Sequence, residues 1–283
     1  MSDVLLNDAQ FQKILSAIQS LKGGGIHWEQ VIPVFFSALL AILVGMFLEY
    51  FRSSREKTKA HFERQIKELQ QINGVVVGIG YNVEILLHAT FQNLLPHHTE
   101  SHAAYDALQA TNREAQKIIT FAASLSKYPA LMMTCPEMYF VEFDFLEKLP
   151  FLIEKDAELV KKAGWMFRYS RVLDTAIKDR NKFINEANRT AYSNNGALSF
   201  FQLDSILQMQ QSIADAECVN ALQLFDVFLS IAKSLETVST TYPIKDKNFP
   251  IKGKKLIPPP PLEEAMEKLR VISAKVISTM PAD

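Results

Sequence analysis

VIPVFFSALLAILVGMFLEYFRSSREKTK, residues Val31–Lys59, is the stretch whose reading decides the fold. From Val31 to Leu48 there are eighteen residues without a charge. A run of that length meets the threshold for a helix that crosses the hydrocarbon of a bilayer. A core helix of a soluble protein would keep a polar stripe along one side, whereas the only hydroxyl here is Ser37. Trp28 and Tyr50 flank the run, as aromatic residues do at the two membrane interfaces. They lie about 34 Å apart at 1.5 Å per residue, close to one bilayer. Pro33 is expected in the first turn, where an absent N–H costs little. The reading is a transmembrane helix over 28–51; the competing one is a buried hairpin helix.

The flanking charges orient it. Only Lys13 and Lys22 are basic before the run, whereas Arg52, Arg55, Lys57, Lys59, Arg64 and Lys67 crowd after it. A cleaved signal peptide has the reverse order. The positive-inside rule places the N-terminus outside and the bulk of the chain in the cytoplasm. The expected location is therefore the inner (plasma) membrane, crossed once, with Trp28, Tyr50, Arg52, Arg55, Lys57 and Lys59 as interfacial anchors. Ser37, Ala41 and Gly45 recur every four residues. Such a small-residue ladder lets two helices approach closely in lipid, so self-association through this face is expected.

Residues 1–25 read as a short amphipathic helix and a hinge. Asn7 with Gln10 is a capping pattern, Leu6 and Phe11 a hydrophobic staple, and Gly23–Gly25 the stop. This helix either lies on the outer leaflet, packs with copies of itself, or docks on the chain's own domain. Residues 52–72 form a basic juxtamembrane stalk. Phe62, Ile66, Leu69 and Val76, with Asn73, step by three and four in a coiled-coil-like seam. Residues 73–241 then read as a bundle of long antiparallel helices, because no useful stretch alternates as a strand does. Asn82, Glu84, His88 and Gln92 interrupt the apolar 72–97 region, which argues against a second span. Further helices are expected after Pro96 to about 125, near 137–149 and 150–163, from 165 to about 192 past a joint at Gly164, and beyond the SNNG break. A basic, Pro-rich linker (242–261) precedes a final helix over 262–279, with Glu263 and Glu264 in its first turn.

Little in the sequence carries chemistry. The net charge is −1 over 283 residues, so nothing overall favours nucleic acid. Cys135 and Cys218 lie too far apart for a metal knuckle and read as two buried thiols. There is no phosphate-binding loop, nucleophile elbow, HExxH or di-iron ExxH pair. The one constellation with metal-ligating chemistry is Glu84 and His88 followed by His97, His98, Glu100 and His102, of which His98 and His102 would share a helix face; it matches no established spacing, so neither metal nor cofactor is expected. Arg168, Arg171, Lys178, Lys182 and Arg189 form a basic stripe interleaved with acids, as on a solvated face. The layout suits a non-enzymatic, self-associating membrane protein whose bundle senses or recruits a cytoplasmic protein partner, such as a membrane effector of a bacterial defence or stress system. The alternative is a pore-forming or membrane-permeabilising oligomer.

Overall fold

The computed structural model describes residues 12, 13, 15, 16, 19, 28–140, 149–153, 156–193, 199–241 and 253–279, with the side chains of 28–31, 152–153, 187–193 and 279 set aside. The expected capping and staple residues of the N-terminal helix, its glycine hinge, and most of the basic linker lie outside these residues. All regular structure among the described residues is helical. The chain divides into two compact units, Met1–Gln65 and Ile66–Asp283.

Helix α1 runs from Trp28 to Ala89. Its start places Pro33 inside the helix rather than in the first turn, so the Glu29 carbonyl, four residues earlier, loses its intrahelical donor. In the first unit nearly every described side chain from Ile32 to Phe51 is exposed. In the second unit one face of α1 is fully covered: Leu69, Ile72, Val76, Ile79, Val83 and Leu86 are each 2% exposed or less. Two of the four seam residues, Leu69 and Val76, thus belong to the chain's own core, while Phe62 and Ile66 are half-buried. The same line of apolar residues meets α-helices of its own domain.

Pro96 does not interrupt the helical path as the sequence suggested. A five-residue π-turn, Thr90–Leu94, leads directly into α2, Leu95–Gln109. Proline lacks a donor and its ring clashes with the carbonyl four residues back. The wider turn just before it relieves both problems, and the buried Thr90 hydroxyl donates to the Leu86 carbonyl at 2.7 Å. The expected helix to about 125 is broken instead at Asn112 and Arg113, both with positive φ (51° and 64°). Helix α3 follows at Ala115–Ser124. Residues 133–140, expected to open a helix at Pro136, are irregular. After the short α4, Pro150–Ile153, helix α5 runs from Ala157 to Ser193 straight through Gly164.

Helix α6, Phe200–Thr240, begins with a full capping box: the Ser199 backbone N–H donates to Gln202 Oε1 at 2.9 Å and the Gln202 N–H donates to Ser199 Oγ at 3.3 Å. The closing helix α7, Leu262–Thr279, follows the proline run. The main core joins α1, α5, α6 and α7, with Leu173, Ile177, Phe225, Phe228, Leu262 and Leu269 among its members. A smaller core gathers Ala104, Leu108, Phe121, Leu131, Phe200, Leu203 and Leu207. At Gly80 the segment before the prolines approaches α1 closely; a Cβ there would meet Leu256 Cδ1 at 3.1 Å.

Candidate functional site

The polar heart of the second unit is a buried network. His97, Arg180 and Glu217 are each 1% exposed or less. His97 Nδ1 pairs with Glu217 Oε2 at 3.0 Å, and Arg180 Nη1 lies 3.5 Å from the same oxygen. Burial lowers the His97 pKa, outweighing its hydrogen bond to Glu217, so the imidazole is neutral. Glu217 and Arg180 then compensate each other in a dry interior, as a buried charge requires.

Arg180 also organises the connection after α3. Its Nη2 donates to the carbonyls of Ala130 (3.1 Å) and Met133 (2.9 Å). Gln210 donates to the Leu131 carbonyl, and the Ala130 N–H donates to Glu100 at 2.6 Å. Asn181 bonds both the N–H and the carbonyl of Cys135 at 2.8 Å. Buried backbone groups outside regular structure need partners of this kind. Side chains of α2, α5 and α6 supply them from Ala130 to Cys135. Cys135 and Cys218 are buried free thiols; burial pushes Cys135 up to about 11 and raises Cys218 further.

Beside this network, at the edge of the same two helices, lies a second cluster. His98 and His102 occupy one face of α2 with their rings 4.5 Å apart. Asp215 of α6 receives both, at 3.2 Å from His98 Nε2 and 3.0 Å from His102 Nε2. Gln211 Nε2 lies 3.2 Å from His102 Nδ1. Burial alone would raise the Asp215 carboxyl, but the hydrogen bonds from the two imidazoles outweigh it and hold the group below the usual carboxylate range. Pairings of 97 with 217, 102 with 215, 105 with 208 and 109 with 204 show that α2 and α6 run in opposite directions here.

The residues singled out from sequence divide accordingly. His98 and His102 come together, whereas Glu84 and His88 are exposed on α1 along an open groove shared with Glu137 and Tyr139. Ser37, Ala41 and Gly45 are exposed, and Ser37 Oγ donates to its own helix at Val34. Tyr50, Arg52, Arg55, Lys57 and Lys59 are exposed, with Arg52 paired to Glu56 and Lys59 to Glu63. The Trp28 side chain lies outside those described. Arg168, Arg171, Lys178 and Lys182 are exposed, and Lys178 pairs with Asp174. Arg180, Asp215 and Glu217 were not singled out, whereas His97, named with its neighbours, is buried against Glu217. The available signal was phase: Arg180 falls on the apolar line Leu173–Ile177–Ile184, and Glu217 on Ala214–Ala221–Leu224.

Fold and site together define an all-helical protein with an N-terminal helix long and apolar enough to cross a membrane. No protein family, no characterised protein and no solved structure matches the chain.

Proposed function

We propose that this is a non-enzymatic, self-associating, single-pass inner-membrane protein, N-terminus outside, whose cytoplasmic bundle of antiparallel helices senses or recruits a protein partner. A membrane effector of a bacterial defence or stress system fits this layout. The observation that carries the reading is the exposure of α1 on all sides across its apolar run, with Phe35, Leu40 and Phe47 each more than 60% exposed. Water is a poor solvent for that surface, and a bilayer or neighbouring copies would cover it. The exposed cations from Arg52 to Lys59 fit an anionic inner leaflet, each adding about 1 kcal/mol.

Assembly through Ser37, Ala41 and Gly45 is testable by mass. In mild detergent the full chain should exceed the mass of one chain, and Gly45→Ile should return it towards the monomer. A wild-type protein that is strictly monomeric in detergent and in native lipid discs contradicts the reading. A pore of such helices is the competing use. The Ser37 hydroxyl is bonded to its own backbone, which leaves such a pore without a polar lining. Liposomes carrying the protein should therefore remain sealed to ions.

A further inference from the structure

The second unit brings together three metal-ligating side chains that neither the membrane reading nor the buried network uses. We propose that His98, His102 and Asp215 bind one divalent transition-metal ion of the zinc class, which ties α2 to α6.

The geometry comes first. The candidate ligand atoms of the three residues all lie within 4.8 Å of one another. Asp215 Oδ1 stands 3.2 Å from His98 Nε2 and 3.0 Å from His102 Nε2. Zinc binds imidazole nitrogen and carboxylate oxygen at about 2.0–2.2 Å, so neighbouring ligands of a tetrahedral site are about 3.3–3.5 Å apart. Asp215 has to draw back from each imidazole by only a few tenths of an ångström, and the two imidazoles, already within 4.8 Å of one another, complete the set by side-chain rotation. The i, i+4 histidines share one helix face, and the carboxylate arrives from a separate helix, so the site depends on the fold and not on a flexible loop.

The surroundings fit as well. The Asp215 charge partly offsets the dication, and two imidazoles with one carboxylate are a donor set suited to zinc and its neighbours. Side-chain exposures of 17%, 41% and 25% for His98, His102 and Asp215 leave an approach from solvent. Three protein ligands leave a fourth position for water or for a group on a partner. Gln211 meets His102 on its far nitrogen. With its amide turned oxygen-first, it accepts the Nδ1 proton and presents the Nε2 lone pair to the ion, the usual arrangement behind a metal-bound histidine. The ion would be a staple between two helices beside the buried His97–Glu217 pair.

The test uses the full-length protein in mild detergent, stripped with a chelator, then titrated with Zn²⁺ and separately with Co²⁺. One equivalent per chain is expected at micromolar free metal, with a zinc-dependent rise in Tm. The Co²⁺ form should show the visible ligand-field bands of a low-coordinate nitrogen and oxygen site and two paramagnetically shifted imidazole N–H resonances. His102→Ala and Asp215→Asn should each weaken uptake at least tenfold and abolish the Tm response, whereas His88→Ala should leave both unchanged. Helicity by circular dichroism identifies any variant that fails to fold, and the wild-type Co²⁺ spectra do not depend on variants. No saturable uptake at micromolar metal, Co²⁺ spectra without two imidazoles, or equal uptake by folded Asp215→Asn would overturn the assignment.

Discussion

Two long apolar helices of this chain meet opposite fates. The apolar part of α1 and the whole of α6 are both long and apolar enough to cross a membrane. The window in α1 is wholly uncovered within the protein, while half of that in α6 is buried. In α6, Leu207, Ala214, Ala221, Phe225, Phe228 and Ile231 turn inward, and Asp204, Gln208, Gln211 and Asp215 fall on other faces. Along the apolar run of α1 no polar side stands opposite an apolar one. Fully burying a leucine or phenylalanine is worth about 1.5–3 kcal/mol. Helix α6 gains this inside its own domain, and the apolar run of α1 does not. The difference teaches that the phase of polar interruption, more than overall apolarity, separates a core helix from a membrane anchor.

That contrast can be broken most severely in the anchor. Leu40→Lys combined with Val44→Lys places two charges near the middle of the apolar run, at about 2.5–3.5 kcal/mol each in a membrane helix. The doubly substituted protein should leave the membrane fraction, as measured by immunoblotting of sedimented membranes. Within the second unit the largest effects should come from core and network. Phe228→Ala should cost about 3–5 kcal/mol in urea denaturation of the detergent-solubilised chain. Arg180→Met leaves Glu217 buried without its cation and should cost a similar amount, about 3–5 kcal/mol. Adding Glu217→Gln to Arg180→Met should recover part of that loss, because the unpaired charge is then gone.

Smaller effects sharpen the same comparison. Phe36→Ala, on the exposed run, should change the unfolding free energy of the second unit by less than about 0.5 kcal/mol, although it removes the same side chain as Phe228→Ala. The thiols should be silent. With Cys135 pushed up to about 11, only about a thousandth is thiolate at pH 8, and Cys218 is raised further still. Iodoacetamide should therefore label neither cysteine in the folded protein and both after denaturation, as read by mass spectrometry. Rapid labelling of the native chain would show that the core around Cys135 and Cys218 opens.

How much of this was legible in the sequence follows from the same physics. The apolar run, the helical character, the long helix that starts at Phe200 and the closing helix from Leu262 all rest on local patterns that tertiary contacts reinforce. In the seam 62–76 the period reports a covered face and not what covers it, and Leu69 and Val76 are buried in the chain's own core. Gly164 and Pro136 misled because propensity is weak beside packing. Ala163 and Met166 hold α5 through the glycine, and Asn181 holds Cys135 outside a helix. His98 and His102 were visible as a pair, but Asp215 lies more than a hundred residues away. Nothing local marks Arg180 and Glu217 as buried; only their phase places them on an apolar line.

The most direct measurement is sedimentation of broken cells that express residues 1–283, followed by washing the membranes with alkaline carbonate and then with detergent. The account predicts that the protein stays in the pellet through carbonate and is released only by detergent. Recovery of the intact chain in the first supernatant, without surfactant, would contradict it.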